Sequence, residues 1–493
     1  MATLSSVTIP IETRVARMRL SKEIWAETNG WRGNVSRTME QIAKALDMED
    51  LGGIGKAVEI GKLEGTYGYL DNPREFFQVL LGAQGARQEE VLGLYHKTRD
   101  ALVQNGIMIA NQITVSDIKA DIGSIGGHLQ PGKSVLEAVG NYVEQEGINT
   151  GLLRSYFVSS TGDDISILMT HQRGKLDETI HNLAWNAFLA GTEVARQEGH
   201  YGAGQDLLVD APAGNVKGAG PAVAELEFVE RKAEPFLNIG ADKTSPGAFS
   251  LPLYLLSDPM YNSGLLLADN MEPGYIYRVL DLNHKGDEDK AIYLTTPEDL
   301  YNLALLLRDT DNFVIESMYL KATYDQFVSV SATRLHDIAG KYTGKDDPRM
   351  LVRLQGQFPA TGEVLHPYSM GHLVAGFMRG SHNGPLMPVT QNGIISWFDG
   401  PPIVTANAFS VKDGILTEPV DCFDQPFWDS IRVEVAQKAQ WIRRQGFFGA
   451  AMLPWNELEY AAGPVKKMET MQSRFKIEKD GEQEESVRNL KVA

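Results

Sequence analysis

The chain is 493 residues long with 43% hydrophobic, 9% aromatic and 22% charged residues, which excludes a disordered, collagenous or coiled-coil protein. Its net charge of −18 makes it a poor non-specific ligand for nucleic acid or an anionic membrane, unless metal ions or local lysines and arginines invert the field within one cleft. One cysteine, Cys422, excludes intramolecular disulfides and Cys-rich zinc or iron–sulfur sites.

At ~150 residues per domain, the length fits two to four units, or one large α/β domain with additions. Residues 1–20 lack an apolar core of signal-peptide length, and no run approaches ~18 uninterrupted apolar residues. A reducing, cytoplasmic setting is the default reading. Cys422 reads as a partly buried small apolar residue.

Residues 1–112 are nearly neutral and helical in pattern, so almost all the negative charge lies downstream. Ser36 can cap a helix carrying Met39, Ile42, Ala43 and Leu46 at helical spacing. Asp71-Asn72-Pro73 starts a second helix before Phe76, Phe77, Leu80 and Leu81. A third covers 86–104, with Val91, Leu94, Tyr95 and Leu102 inward and Gly106 as its stop. Gly52-Gly53-Ile54-Gly55-Lys56-Ala57 mimics a phosphate loop, but it lacks the first glycine and Ala57 stands where Ser or Thr should hold magnesium. A flexible turn is the better reading.

From Thr114 onward the pattern is α/β. Strands are predicted over 115–120, 155–159, 165–170, 224–229, 236–241 and 350–354. Helices are predicted over 134–146 and 175–197, the second with Leu176, Ile180, Leu183, Ala184, Ala187, Phe188 and Val194 on one face. Beyond Pro464 the chain is charged and weakly periodic, which predicts a frayed helix and tail.

Carboxylates recur at the strand ends: Asp121, Asp163-Asp164, Asp242 and Asp346-Asp347. A single strand-end aspartate commonly just caps a turn. Two Asp-Asp pairs are harder to explain that way, because adjacent like charges are unfavourable unless solvated or paired with cations. Hard oxygen ligands with few histidines point to magnesium or a related divalent ion, and several carboxylates point to more than one ion, as in phosphoryl chemistry. Lys345 lies in the loop Gly340-Lys341-Tyr342-Thr343-Gly344-Lys345-Asp346-Asp347-Pro348. Neighbouring carboxylates favour its charged form, which suits a phosphate-binding cation. A nucleophilic amine would require lysine and carboxylates to work at different times. Tyr342 is a possible acid/base beside an imine carbon. His171 reads as structural.

Residues ~115–465 resemble the bifunctional fructose-1,6-bisphosphate aldolase/phosphatase family of archaea and deep-branching bacteria. The resemblance is carried in order by Ile118-Lys119-Ala120-Asp121-Ile122-Gly123-Ser124, Gly162-Asp163-Asp164, Tyr201-Gly202-Ala203-Gly204-Gln205-Asp206, Ala241-Asp242-Lys243-Thr244, the 340–348 loop, Met378-Arg379-Gly380-Ser381-His382 and Phe398-Asp399-Gly400-Pro401-Pro402. It implies a four-layer α-β-β-α sandwich, an octamer, several Mg2+ ions per site and sugar-phosphate substrates; the acidic charge and the lack of long apolar runs add the expectation of no nucleic-acid or membrane partner. The implied reaction condenses dihydroxyacetone phosphate with glyceraldehyde 3-phosphate and then hydrolyses the C1 phosphate of fructose 1,6-bisphosphate to give fructose 6-phosphate.

By the same resemblance, Asp121 is metal ligand and general base. His128, Asp163, Asp164, Gln205, Asp242, Asp346 and Asp347 complete the metal set. Lys345 is the Schiff-base lysine and Tyr342 the aldolase acid/base. His128, Tyr201, Gly214, Asn215, Lys243, Gln355, Gly356, Arg379, Asp399 and Tyr460 are substrate contacts. The expected organisation is a small all-α N-terminal extension of unassigned role over 1–112, a catalytic domain over 113–465 and a charged tail over 466–493. The alternatives are a magnesium-dependent fructose-1,6-bisphosphatase only, with Lys345 binding phosphate, and a sugar-phosphate-binding regulator that uses the N-terminal helices to engage a partner.

Overall fold

The computed structural model describes residues 112–207, 220–282, 290–310, 312–332, 346–375, 383–394 and 401–444. The predicted helical extension, the phosphate-loop mimic and the C-terminal tail lie outside the described residues.

Strand β1 (Gln112–Ala120) is buried along its whole length, so both of its faces must be covered. Alternation sends Ile118 and Ala120 to one side and Ile113 and Val115 to the other. β1 pairs antiparallel with β3 (Asp164–His171) and β4 (Ala222–Val229), and β2 (Ser155–Thr161) completes a four-stranded sheet in the order β2-β3-β1-β4. Helices α1 (Lys133–Val143) and α2 (Glu178–Gln197) cover its outer face, with Val135, Val139, Ile180, Ala184 and Phe188 packed on Ile118 and Ile167.

A second sheet of ten strands packs on the inner face. Its centre is β5 (Glu234–Asp242), flanked by β10 (Arg349–Arg353) and β11 (Ile403–Lys412). β6 (Tyr275–Asp281), β7 (Ala291–Thr295), β8 (Phe313–Leu320) and β9 (Gln326–Val330) extend one side. Its outer face packs Leu237, Ile239, Met350 and Val352 against Phe249, Leu253, Trp428, Ile431 and Val435, which belong to or adjoin helices at 250–255 and 426–444. The layers therefore run helix, sheet, sheet, helix, as the resemblance implied.

Within the described residues, the predicted strands and helices are all present, with shifted ends. The second helix starts later than its pattern suggested. Asp177 caps it by accepting from the backbone N–H of Thr179 and Ile180, so Leu176 lies outside it, 54% exposed and at φ 60°. Leu176 matched the apolar period only by coincidence. His171 is fully buried against Ser116, in keeping with a structural role, and Cys422 is partly buried beside the large core.

The space between the sheets has two chemically different ends. At one end Ile113, Val115, Leu168, Phe228, Phe236, Leu351 and Phe409 make an apolar cluster. Following the same inward faces toward the other end, β1 continues through Asp117 and Lys119 to Asp121, and β5 through Asn238 to Asp242. This polar end holds the site.

Candidate metal centre

Four strand ends deliver the carboxylates. Asp121 follows β1, Asp163 and Asp164 sit at the β2–β3 turn, Asp242 ends β5, and Asp346 and Asp347 precede β10. Ligand atoms of Asp121, His128 and Asp163 lie within 4.8 Å of one another, as do those of Asp163, Asp164 and Asp242. His128 Nδ1 is 2.8 Å from Asp163 Oδ2 and 3.9 Å from Asp121 Oδ2. The Tyr201 ring meets His128 edge-on, 5.0 Å between centroids.

Two fully buried lysines balance part of this charge. Lys243 Nζ lies 2.6 Å from Asp163 Oδ1 and 2.9 Å from Asp242 Oδ1. Lys119 Nζ lies 2.7 Å from Asp164 Oδ1 and 4.0 Å from Asp347 Oδ2. Burial disfavours both ammonium groups, but the surrounding aspartates outweigh it and raise both pKa values well above normal. Burial tends to raise Asp163 as well, yet Lys243 and His128 hold its carboxyl well below the usual range. Asp121 is pushed far above that range by burial and by the charges of Asp163 and Asp164. Burial likewise raises Asp242, helped by Asp163, and Asp347, helped by Asp346 and Asp164.

The cluster therefore carries more negative charge than its lysines neutralise. Among the described residues, the buried Asp242 Oδ2 and Gln205 Oε1 accept no hydrogen bond, and Asp242 Oδ1 is met only by the Lys243 ammonium. Buried acceptors left in this state are costly unless something else satisfies them. Oxygen donors plus one imidazole fit a hard divalent cation.

The backbone bends to make this fit. Lys243 has φ 63° and Asp347 φ 49°, both in the sparsely populated left-handed region. Reciprocal bonds hold them: Asp347 N donates to Thr244 O at 2.8 Å, and Thr244 N donates to Asp347 Oδ1 at 3.1 Å. Gly162 has φ 59°, and a Cβ there would fall 1.5 Å from Asp242 Oδ2. Gly162→Ala should therefore displace Asp242 and add about 1–2 kcal/mol of backbone strain. The expected result is a folded protein whose divalent-ion affinity, measured by calorimetric titration, falls at least about tenfold. Parental affinity would show that Asp242 is not a ligand.

The structure thus gathers Asp121, His128, Asp163, Asp164, Tyr201, Gln205, Asp242, Lys243, Asp346 and Asp347. It does not bring Gln355 and Gly356 to them. Leu354 N bonds Pro235 O at 2.9 Å, at the opposite end of β5 from Asp242. At ~3.3 Å per residue that is roughly 20 Å from the cluster. Gln355 does share the unusual backbone, at φ 61°. Gly214, Asn215, Tyr342, Lys345, Arg379, Asp399 and Tyr460 lie outside the described residues. Sequence reasoning gave Lys119 no role. Its signal was a lysine on the inward face of a strand that is otherwise buried.

Comparison with known proteins agrees with this geometry. A family model described as fructose-1,6-bisphosphatase matches residues 112–476. The fructose-1,6-bisphosphate aldolase/phosphatase of Thermus thermophilus is 51% identical over 365 residues, 74% of this chain and 99% of that protein. The enzyme of the same name from Ignicoccus hospitalis is 45% identical over 374 residues, 76% of this chain and 95% of that protein. The one from Methanothermobacter marburgensis is 43% identical over 353 residues, 71% of this chain and 95% of that protein. A match of this extent, over strands that converge on one carboxylate cluster, makes the chain a member of the fructose-1,6-bisphosphate aldolase/phosphatase family.

Proposed function

We propose that the protein condenses dihydroxyacetone phosphate and glyceraldehyde 3-phosphate to fructose 1,6-bisphosphate and then hydrolyses the C1 phosphate to yield fructose 6-phosphate. The observation that carries this is the buried carboxylate cluster between the sheets, in which Asp242 Oδ2 and Gln205 Oε1 accept no hydrogen bond. Relatives named for both activities favour the two-step reading over a phosphatase alone.

Asp121, His128, Asp163, Asp164, Gln205, Asp242, Asp346 and Asp347 would hold Mg2+. When bound, the ions neutralise the carboxylates and polarise a phosphate oxygen. Asp121 takes the proton of the attacking water. Tyr201, beside His128, and Lys243, buried between Asp163 and Asp242, contact the sugar phosphate. Arg379, Asp399, Tyr460, Gly214 and Asn215 are assigned to the same substrate by resemblance.

For the first step, Lys345 supplies a neutral amine to the ketone carbon and Tyr342 moves the proton. The loop that carries Lys345 beside Asp346 and Asp347 alternates between presenting amine and carboxylates. An octameric assembly is part of this reading, by the family resemblance. The setting is cytoplasmic. No helix among the described residues is long and apolar enough to cross a membrane.

The direct test is to incubate the protein with both triose phosphates and magnesium and assay fructose 6-phosphate. Phosphate release from fructose 1,6-bisphosphate without condensation would favour the phosphatase-only alternative. A further expectation concerns the N-terminal region. The family match begins at residue 112, and every assigned site residue lies at or beyond Asp121. Deleting residues 1–110 should leave both activities within a few-fold of the parent in coupled assays. Loss of both in a soluble, folded truncation would place the N-terminal region in the site.

A further inference from the structure

Beneath the carboxylate cluster lies a second polar layer, centred on Arg349. Its side chain is the largest fully buried one among the described residues. Every branch of the guanidinium is used. Nε donates to Asp117 Oδ2 at 2.7 Å and Nη1 to Thr161 Oγ1 at 3.0 Å. Nη2 donates to Asn238 Oδ1, and Asp117 also accepts from Ser166 Oγ. Thr161 continues to Thr405 on β11 at 2.6 Å.

These partners occupy the strands that carry the proposed metal ligands. Asp117 lies four residues before Asp121 on β1, and Asn238 four before Asp242 on β5. Thr161 is two before Asp163, Ser166 two after Asp164, and Arg349 itself two after Asp347. At ~3.3 Å per residue, the layer sits about 7–13 Å below the carboxylates on every strand. The register makes room for it. Gly240 lies opposite Arg349 on β5, and a Cβ there would fall 1.7 Å from Arg349 Nη1.

Cohesion between the sheets does not need this pair. The adjoining apolar cluster supplies cohesion without charges, and a buried ion pair is often no more stabilising than apolar residues of similar volume. A planar fork with directional donors does something apolar packing cannot: it fixes the lateral spacing of strands from both sheets.

We propose that Arg349 is a positioning residue that, through Asp117, Thr161 and Asn238, sets the spacing of the carboxylates on β1, β2–β3, β5 and β10, and so the affinity of the site for divalent ions. The proposal rests on the metal reading given above.

The test uses the full-length chain with Mn2+ alone as probe, counting free Mn2+ by electron paramagnetic resonance and following thermal unfolding in parallel. Arg349→Lys keeps the charge but loses the fork. The double change Asp117→Leu with Arg349→Met removes the pair and restores apolar packing. Both should fold, and both should bind Mn2+ about 10–100-fold more weakly than the parent, the range seen when outer partners of metal ligands are lost. The midpoint of the double variant should stay near that of the parent, so the affinity loss cannot be put down to instability.

Asp242→Asn is the reference. Parental Mn2+ affinity in Asp242→Asn would sink the metal reading itself. Weak binding there, together with parental affinity in the Arg349 variants, would overturn only the positioning role. Failure of both Arg349 variants to fold would also overturn it, by making the network a requirement of stability instead of site geometry.

Discussion

Asp121→Asn should lower phosphate release from fructose 1,6-bisphosphate by roughly 10²–10⁴-fold while leaving the fold intact. The backbone at this position is held independently of the carboxyl charge. Asp121 N donates to Asp206 Oδ2 at 2.9 Å, and Asp206 N returns a bond to Asp121 O at 2.9 Å. An amide of the same shape can still accept from Gly123 N, which lies 3.2 Å from Oδ1. What is lost is a proton acceptor and one negative charge facing the proposed ions.

The stability of the metal-free protein should move the other way. Because burial and nearby Asp163 and Asp164 raise the Asp121 pKa in the folded state, the folded chain binds more protons than the unfolded one. This residue's contribution to stability therefore falls as pH rises from the unfolded carboxylate value through the raised folded one. At neutral pH the asparagine variant in chelator should unfold at a temperature equal to or above that of the parent. Near-parental phosphate release would move the base elsewhere. A large fall in the chelator midpoint would show that Asp121 serves structure first.

Much of the site was legible in the sequence, because its residues stand at strand ends in recognisable runs. The run around Asp121 and the pair Asp163-Asp164 stand out as candidate metal ligands because they fall at the ends of predicted strands and match runs of the family. The Arg349 layer could not. Asp117, Thr161, Asn238 and Arg349 are ordinary polar residues in a one-dimensional reading. They converge only because each lies on the inward face of its strand, β1, β2, β5 or β10. Alternation revealed strands but not which face was buried, since β1 is enclosed on both sides. Leu176 shows the converse failure. It kept the helical period, yet the Asp177 cap fixes the helix start after it. Gln355 illustrates a third limit: a position matched by resemblance need not lie at the strand end that carries the carboxylates.

Lys345→Arg should abolish condensation and leave hydrolysis of supplied fructose 1,6-bisphosphate measurable. Arginine keeps the positive charge beside Asp346 and Asp347, so electrostatic support for phosphate or carboxylates is retained. It cannot lose a proton at working pH and form an imine, so covalent chemistry stops. The carboxylates that serve hydrolysis remain, with Asp347 clamped to Thr244 by two backbone-anchored bonds and facing Lys119. Changing both Asp346 and Asp347 to Asn should give the reverse pattern, with condensation partly retained and hydrolysis lost. Borohydride reduction in the presence of dihydroxyacetone phosphate, followed by peptide mass spectrometry, separates the candidate amines. Lys243 and Lys119 are poor nucleophiles, because their aspartate partners hold them charged. The adduct should therefore map to the peptide containing Lys345 and vanish in Lys345→Arg. An adduct on Lys341 or Lys243 would reassign the nucleophile. If neither adduct nor condensation appears in the parent protein, Lys345 is left as a phosphate-binding cation in an enzyme that only hydrolyses.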